Sequence, residues 1–379
     1  MLIYILLILF IVILIVFDMT KRNKDSNSSV KLLTFIFIFI YLLCALRSSS
    51  VGRDVVGYEM VYKWTANVKW NDWDYVYFEK GYILLMKICV LLRLPFQGFL
   101  AVAYAIIVFP IYLIIRKYSY NYGISTLLYV CFQHLNFDLS GIRQALSMSI
   151  VLIGYVLLIE SKKYALLKYT ICVIIASTFH TGAFICFVFV IAYLVKSMPV
   201  FYIGSIISLG VLLLFRRYLM ILIQDWFERN EFDLESRIYI GANFIMSVAF
   251  IALFIMYLNY IKEKIDNAEN SSLSYYSDEK YYLDYLYKEH FISTVNVKMH
   301  IISFAAMILF GTSTMVRSYM YLNQVYMIIL PNLLESNMFK SKEVIKIAVV
   351  VVFVAFFVYN VLIKGGFDIV PYRFFWQTA

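Results

Sequence analysis

Long apolar runs separated by short polar segments constrain this chain more than any other feature of its sequence. A helix needs about 20 apolar residues to cross the hydrocarbon core of a membrane. Such segments must be helical because lipid cannot satisfy exposed backbone polar groups. The apolar runs lie near residues 2–17, 32–46, 82–94, 97–115, 123–137, 145–160, 165–179, 183–195, 200–215, 242–261, 299–313, 320–334 and 346–363.

Composition supports a membrane protein over a soluble one. Of the 379 residues, 63% are apolar and 15% are charged, whereas soluble domains are about one-half apolar and one-quarter charged. This composition excludes a water-soluble enzyme, a disordered chain and a secreted disulfide scaffold. The sequence predicts an all-α, polytopic helical integral membrane protein with about 12 transmembrane helices, located as a multi-pass protein in the plasma (inner) membrane.

The distribution of Lys and Arg predicts the orientation of the chain. Lysines concentrate in alternate connections, among them 18–31 and 262–298, which the positive-inside rule places in the cytoplasm. The run 82–94 contains Lys87 and Arg93, so we expect it to lie in the interface or to re-enter, leaving both termini outside. The net charge of +9 therefore reports topology, and we expect no nucleic-acid partner.

One integral membrane domain is predicted over residues 1–379, with an extracytoplasmic loop at 47–80 and a cytoplasmic loop at 262–298. The sequence has no dinucleotide, P-loop, zinc-protease or EF-hand motif. The five cysteines all lie in apolar runs without CxxC spacing. We therefore expect no metal and no cofactor, and any chemistry must use side chains at the membrane surface.

All five tryptophans fall in segments predicted to lie outside. An aromatic belt at one interface accounts for this pattern, although such belts usually occupy both interfaces. Tryptophan mixed with tyrosine also suits a groove in which sugar rings rest on aromatic faces. The candidate sugar-binding residues are Tyr58, Trp64, Trp70 and Trp73; Trp226 and Trp376 complete the set of tryptophans.

The loop 47–80 concentrates acidic residues, including Asp54 beside Arg53 and Glu79 just before an apolar run. These charges are also typical of an ordinary solvated loop. A carboxylate at a membrane edge can orient a hydroxyl or accept its proton, and it can pair with an arginine that binds phosphate. Asp54 and Glu79 are therefore candidate catalytic residues.

Two arginines stand directly before apolar runs on the predicted outer side, Arg143 and Arg317. The N-terminus of a helix favours anions, and guanidinium groups bind phosphate oxygens in pairs. Snorkelling to the interface is the alternative explanation. Together the two arginines predict a diphosphate site.

His180 interrupts an otherwise continuous apolar stretch, which predicts two short helices joined at this residue. Histidine titrates near neutrality, so His180 is a candidate general base or phosphate donor; a hydrogen bond that stabilises the turn is the alternative.

Arg373, in the segment after the last apolar run, is a further candidate cation if that segment packs over the groove.

Taken in order, these residues resemble the EpsG family of polysaccharide repeat-unit polymerases, relatives of the Wzy-type O-antigen polymerases. The points of likeness run through nearly the whole chain. They are Val51-Gly52-Arg53-Asp54 with Tyr58, Phe78-Glu79-Lys80-Gly81-Tyr82, Gly141-Ile142-Arg143-Gln144, Phe179-His180-Thr181-Gly182-Ala183, Arg317 with Tyr321 and Leu330-Pro331, and Val370-Pro371-Tyr372-Arg373.

The resemblance implies a metal-independent polymerase with a GT-C-like architecture. Its substrates would be polyprenyl-diphosphate-linked oligosaccharides, joined outside the membrane into an extracellular, capsular or O-antigen polysaccharide. Whether a chain-length regulator binds is left open. By this resemblance the residues divide into catalytic His180, Asp54 and Glu79, diphosphate-binding Arg143, Arg317, Arg53 and Arg373, and sugar-binding Tyr58, Trp64, Trp70, Trp73, Gln144 and Tyr372.

Two other functions remain compatible with the sequence. A GT-C glycosyltransferase would add one sugar from a polyprenyl-phosphate donor and would give single additions rather than a ladder of lengths. A flippase for lipid-linked oligosaccharide would also need cations, but flippases usually have related halves, and the sequence has no internal repeat.

Overall fold

The chain folds almost entirely into helices. The computed structural model describes residues 1–20, 27–132, 134–227, 241–270, 277–311 and 314–377. About 80% of the chain is helical, and no strand forms among these residues. The prediction of an all-α polytopic membrane protein is confirmed.

The first half of the chain alternates long helices with short ones. Long helices follow the apolar runs, and short helices form where polar residues or glycine interrupt them. The helices are α1 (Leu2–Thr20), α2 (Asn27–Ala45), α3 (Val55–Thr65), α4 (Lys80–Leu91), α5 (Phe96–Tyr118), α6 (Tyr122–Cys131), α7 (His134–Asp138), α8 (Ile142–Glu160) and α9 (Ala165–Ser177).

The second half has longer helices and several short turns. A 3₁₀ turn at Thr181–Phe184 leads into it. The helices are α10 (Ile185–Leu194), α11 (Met198–Leu214), α12 (Arg216–Phe227), α13 (Ala242–Asn270), α14 (Ser277–Phe310), α15 (Met320–Asn323), α16 (Tyr326–Glu335) and α17 (Lys342–Phe357). Further turns are Thr314–Tyr319, Val358–Ile363 and Gly366–Asp368.

Seven helices among the described residues are long and apolar enough to cross a membrane, or eight if the bent pair α11–α12 is one span. Four shorter apolar helices accompany them. Helix α4, with Lys87, has 12 residues and is not among these candidates, and its predicted place in the interface stays a prediction. The exact count of about 12 crossings stays a prediction.

The polar segment 262–298 differs from the predicted loop. Residues 262–270 continue α13, and residues 277–298 form the first part of α14. Its many tyrosines and charges resemble a solvated loop, but the two helices extend beyond their apolar parts. His300 lies within α14, where its side chain is buried.

The described residues group into two compact units, and the prediction of one integral membrane domain stays a prediction. The first comprises Met1–Thr181 with Leu334–Ala379, and the second Gly182–Leu333. In the first unit α8 packs on α5 and α9, α2 packs on α5, and α6 packs on α1 and α17. In the second unit α14 packs against α10, α11 and α13. All five cysteines are buried, and none forms a disulfide bond.

The C-terminal segment of the first unit lies against the loop that follows α2. The backbone N–H of Ser48 donates to the carbonyl of Arg373 at 2.8 Å, and that of Gly52 donates to the carbonyl of Asp368 at 2.9 Å. This segment therefore holds the residues that lead into α3, where the first candidate site residues lie.

Candidate functional site

Three segments of the first unit meet where predicted site residues lie, at 78–82, 141–143 and 178–181. Helix α8 begins at Ile142 and α9 ends at Ser177, so Arg143 and His180 lie at helix ends, as predicted. The backbone N–H of Gly81 donates to the carbonyl of Thr178 at 2.8 Å. This bond joins the start of α4 to the break between α9 and α10.

Arg143 and Glu79 form an ion pair in this cluster, although 64 residues separate them in the chain. The Arg143 Nη1 atom lies 2.7 Å from a Glu79 carboxylate oxygen, and the two side chains are 19% and 8% exposed. The other carboxylate oxygen accepts the backbone N–H of Thr181 at 3.2 Å. Glu79 thus links α8 to the segment that carries His180.

Aromatic rings surround the guanidinium of Arg143. It lies 4.2 Å from the centre of the Phe78 ring and 5.9 Å from that of Tyr58, and the Tyr58 hydroxyl shares a hydrogen bond with it. The Tyr82 ring packs edge-on against both Tyr58 and Phe78. A guanidinium in such a frame keeps its orientation and is partly shielded from water.

The charges of the cluster determine the ionisation of its carboxylate. Burial alone would raise the pKa of Glu79, but the positive charge of Arg143, the nearby His180 and the N–H of Thr181 together hold this pKa below its ordinary value. Glu79 is therefore ionised at neutral pH. An acid with a lowered pKa is a poor proton acceptor, so its position suits orientation of Arg143 better than general base catalysis.

His180 and Asp54 complete the cluster. His180 is partly exposed and close enough to Glu79 to influence its ionisation. Asp54 precedes α3, is partly exposed, and adds to the rise that burial imposes on the pKa of Tyr58. The structure thus brings together Asp54, Tyr58, Glu79, Arg143 and His180.

Sequence reasoning missed a buried arginine beneath this cluster. The Arg47 side chain is fully buried, and its guanidinium donates to the carbonyls of Val51 and Leu139 and, at 2.6 Å, to the hydroxyl of Tyr104. Tyr104 in turn donates to the carbonyl of Asp138 at 2.6 Å. Arg47 thereby joins the loop before Asp54 to the turn before Arg143. An arginine directly after an apolar run was the only available signal.

Gly52 is required where this loop turns. Its φ of +101° is unfavourable for other residues, and a Cβ atom there would lie 2.9 Å from the Arg47 guanidinium. A Cβ atom there would also overlap the carbonyl oxygen of Leu139, so the close approach of Leu139 and Arg47 to the backbone explains the glycine between Val51 and Arg53.

Two further predicted cations, Arg53 and Arg373, lie outside this cluster of contacts. Arg53 pairs with Asp368 at 2.9 Å on the surface, where both side chains are 58% exposed. The Arg373 side chain is partly exposed, and its backbone carbonyl accepts a hydrogen bond from the backbone N–H of Ser48. Their predicted binding of diphosphate stays a prediction.

Tyr372 and Gln144 are positioned by packing. The Tyr372 hydroxyl donates to the carbonyl of Leu43 at 2.8 Å, and its ring packs edge-on against Tyr4 and Phe374. Gln144 is 4% exposed at the start of α8. The contacts of Tyr372 hold the C-terminal segment in place, and sugar binding by either residue stays a prediction.

The predicted sugar-binding tryptophans lie on or beside a loop that a buried lysine organises. Trp64 on α3 and Trp70 are about half exposed, at 54% and 51%. The Lys87 ammonium group, only 3% exposed, donates to the backbone carbonyls of residues 69, 70 and 72. It also lies 4.7 Å from the Trp73 ring centre. The loop carbonyls that accept these hydrogen bonds thus offset the free-energy cost of burying the Lys87 charge in an apolar helix.

Arg317 belongs to the second unit. It lies in the turn Thr314–Tyr319, and its side chain is exposed. Its predicted action together with Arg143 stays a prediction. The side chain of Trp226 lies outside the described residues, and Trp376 is 58% exposed and stacks on Phe374. Within the described part of the chain, no three His, Cys, Asp or Glu side chains come together as a metal site.

These features define a class: a multi-pass helical membrane protein with a guanidinium–carboxylate–histidine cluster at helix ends. Residues 30–374 match the EpsG family, and the chain belongs to that family. No curated protein and no solved structure matches the chain. The family supports a general role in membrane polysaccharide biosynthesis as a glycosyltransferase-like polymerase of repeat units.

Proposed function

We propose that this protein polymerises polyprenyl-diphosphate-linked oligosaccharide repeat units by glycosyl transfer at the outer face of the plasma membrane. A sugar hydroxyl of one unit attacks the anomeric carbon of the lipid-linked chain. The bond between that carbon and the diphosphate oxygen breaks, and polyprenyl diphosphate leaves with the electron pair. The hydroxyl proton passes to a base of the protein.

The observation that carries this proposal is the environment of Arg143. Its guanidinium lies at the N-terminus of α8, is oriented by Glu79 at 2.7 Å and by the Phe78 ring, and keeps 19% of its side chain exposed. A preoriented cation at a helix N-terminus stabilises the negative charge that develops on a departing diphosphate. In this proposal Arg143 contacts the leaving group.

The remaining groups divide the other tasks. His180 accepts the proton of the attacking hydroxyl, because histidine titrates near neutrality and this one is partly exposed beside Glu79. Glu79, ionised through its low pKa, holds Arg143 and the Thr181 N–H in place. Asp54 orients the acceptor sugar near Tyr58.

The test compares Arg143→Gln and Arg143→Lys with a control variant, Arg217→Gln, at matched abundance in membranes. Arg217 is an exposed arginine on α12. We expect Arg143→Gln to lower polymerisation by about 10²–10³-fold. Arg143→Lys should retain only part of the polymerisation activity, because an ammonium group does not bind two phosphate oxygens in the bidentate manner of a guanidinium group. Polymer length is read as a ladder on a gel.

Three results would contradict the proposal. Long polymer at normal yield from both Arg143 variants would exclude Arg143 from the reaction. Single additions instead of a ladder from the unaltered protein would favour a glycosyltransferase that adds one sugar. Lipid-linked units confined to the inner leaflet in cells lacking the protein would favour a flippase.

A further inference from the structure

Two adjoining cavities open along α5, on the face where it packs beside α2 and α8. Their volumes are about 650 and 580 Å³. They share the lining residues Phe109, Pro110 and Ile153 and therefore adjoin, and we call the two cavities together the α5 groove. None of the residues of the Arg143 cluster lines it. The groove is therefore a feature separate from the candidate functional site.

The walls of the α5 groove are complementary to hydrocarbon. Phe109 and Ile38 in its lining are 58% and 53% exposed. Its polar side chains satisfy one another, because the Thr34 hydroxyl donates to the carbonyl of Val30 at 2.7 Å and lies 2.9 Å from the Tyr112 hydroxyl. A sugar would find few partners here, whereas an acyl chain would lose nothing.

Pro110 lies in the wall of both cavities. A proline within a helix removes one backbone hydrogen bond, and its ring disturbs the preceding turn. Helix α5 continues past Pro110 to Tyr118, and both cavities contact this residue. The groove thus lies beside the residue at which α5 lacks a backbone N–H donor.

One end of the α5 groove carries positive charge. Arg116 and Lys117, in the last turn of α5, line the second cavity. Arg116 forms no ion pair with the described residues, and its nearest side-chain partner is the Tyr112 hydroxyl at 3.4 Å. Lys117 pairs with Glu160 but remains 56% exposed. An apolar channel that ends at basic residues matches an anionic lipid.

We propose that the α5 groove binds an anionic phospholipid, with one acyl chain along its walls past Phe109 and Pro110. The headgroup phosphate contacts Arg116, and Lys117 is shared between that phosphate and Glu160. The site is independent of the sugar chemistry at Arg143. The bound lipid contacts α2, α5 and α8.

Native mass spectrometry of the purified full-length chain, with phosphatidylglycerol or phosphatidylcholine added, tests this site. We expect the protein to retain about one phosphatidylglycerol in preference to phosphatidylcholine. The double variant Arg116→Gln/Lys117→Gln should weaken retention of phosphatidylglycerol by about 25-fold, since each basic residue near a membrane surface contributes about five-fold. Lys163→Gln, at an exposed lysine outside the groove, is the matched control and should leave retention unchanged.

A second variant separates the apolar walls from the charges. Ala105 lines the groove and is exposed, so Ala105→Trp fills the groove without disturbing the core. It should abolish retention of phosphatidylglycerol. Equal retention of both lipids by the unaltered protein, or full retention by the double variant or by Ala105→Trp, would overturn the proposal. Recovery of a polyprenyl diphosphate from the groove, in place of phospholipid, would overturn the choice of occupant.

Discussion

At the scale of single residues, the cluster depends on how Glu79 is held. Its carboxylate has two different partners, the guanidinium of Arg143 and the N–H of Thr181. Both partners favour the ionised form, and together they outweigh the burial that opposes it. Glu79 therefore contributes a fixed negative charge near neutral pH, and the net charge of the pair is balanced until an anionic ligand arrives.

Glu79→Gln should destabilise the protein in a pH-dependent manner. Breaking one side of a largely buried pair costs about 3 kcal/mol. Because the pKa of Glu79 in the folded protein lies below its ordinary 4.5, the stabilisation is fully present above that value and is lost as pH falls through the folded pKa. The thermal unfolding midpoints of the two proteins in detergent should differ by a constant amount from pH 6 to 8.

Below about pH 4.5 the two midpoints should converge, because the unaltered protein then loses the same ion pair. A difference that instead grows as pH falls would contradict a lowered pKa. Glu79→Asp keeps the charge but shortens the side chain, so its midpoint should shift with pH as that of the unaltered protein does.

At the scale of elements, the site depends on the contact between the start of α4 and the segment after α9. A Cβ atom on Gly81 would meet the Thr178 hydroxyl and lie 2.8 Å from the Thr178 carbonyl oxygen. Gly81 also donates its backbone N–H to that carbonyl. There is no room for a side chain here, and a shift of either segment would move Glu79 away from Thr181.

Gly81→Ala and Gly57→Ala therefore form a matched pair. Gly81→Ala should reduce polymer formation at least ten-fold at equal abundance in membranes, since small misplacements of catalytic groups lower rates by such factors. Nothing lies within 4 Å of a Cβ atom on Gly57 in α3, so Gly57→Ala should stabilise the protein by about 0.5–1 kcal/mol. Normal polymer from Gly81→Ala would show that this contact does not control the site.

The loop between α3 and α4 offers a separate prediction. Lys87→Met keeps the length and apolar stem of the side chain but removes the ammonium group that holds three backbone carbonyls. We expect a loss of about 2–3 kcal/mol, as for hydrogen bonds to a charged group, and faster proteolysis within residues 66–76. Lys63→Met is the control, because the Lys63 side chain is 69% exposed and its pair with Glu59 lies on the surface. An unchanged rate of proteolysis in Lys87→Met would contradict the role of this lysine.

At the scale of the whole molecule, the first unit joins the two ends of the chain. The Tyr4 hydroxyl in α1 donates to the carbonyl of Ile369 at 3.0 Å, and the backbone after Gly366 bonds to the loop before α3. Removal of residues 366–379 should therefore lower the abundance of the protein in membranes several-fold. Arg53→Gln removes only an exposed ion pair and should cost less than about 1 kcal/mol. A stable truncated protein would contradict the importance of this contact.

Much of the fold could be predicted from the sequence because lipid allows little except helices. The start of α8 at Ile142 and the break at His180 followed from local chemistry, namely a polar group beside an apolar run. The helical state of 262–270 and 277–298 did not, since polarity alone does not distinguish a solvated loop from a helix that continues beyond the membrane.

The individual residues of the site can be predicted from the sequence more readily than the contacts between them. Arg143, Glu79 and His180 were each selected for their position, but the pairing of Arg143 with Glu79 spans 64 residues and depends on how α4 meets α8. The buried network of Arg47 and Tyr104 likewise depends on tertiary contacts. Because of this pairing, the proposal gives Glu79 the task of positioning Arg143 and gives proton transfer to His180.

The central claim is that Arg143 stabilises a diphosphate leaving group during polymerisation. The most direct measurement uses the purified protein in lipid vesicles with a polyprenyl-diphosphate-linked repeat unit, following released polyprenyl diphosphate and polymer length together. The account predicts one released lipid diphosphate for each new glycosidic bond, with both falling about 10²–10³-fold in Arg143→Gln. Polymer formation at an unchanged rate in Arg143→Gln, or release of lipid diphosphate without polymer, would contradict it.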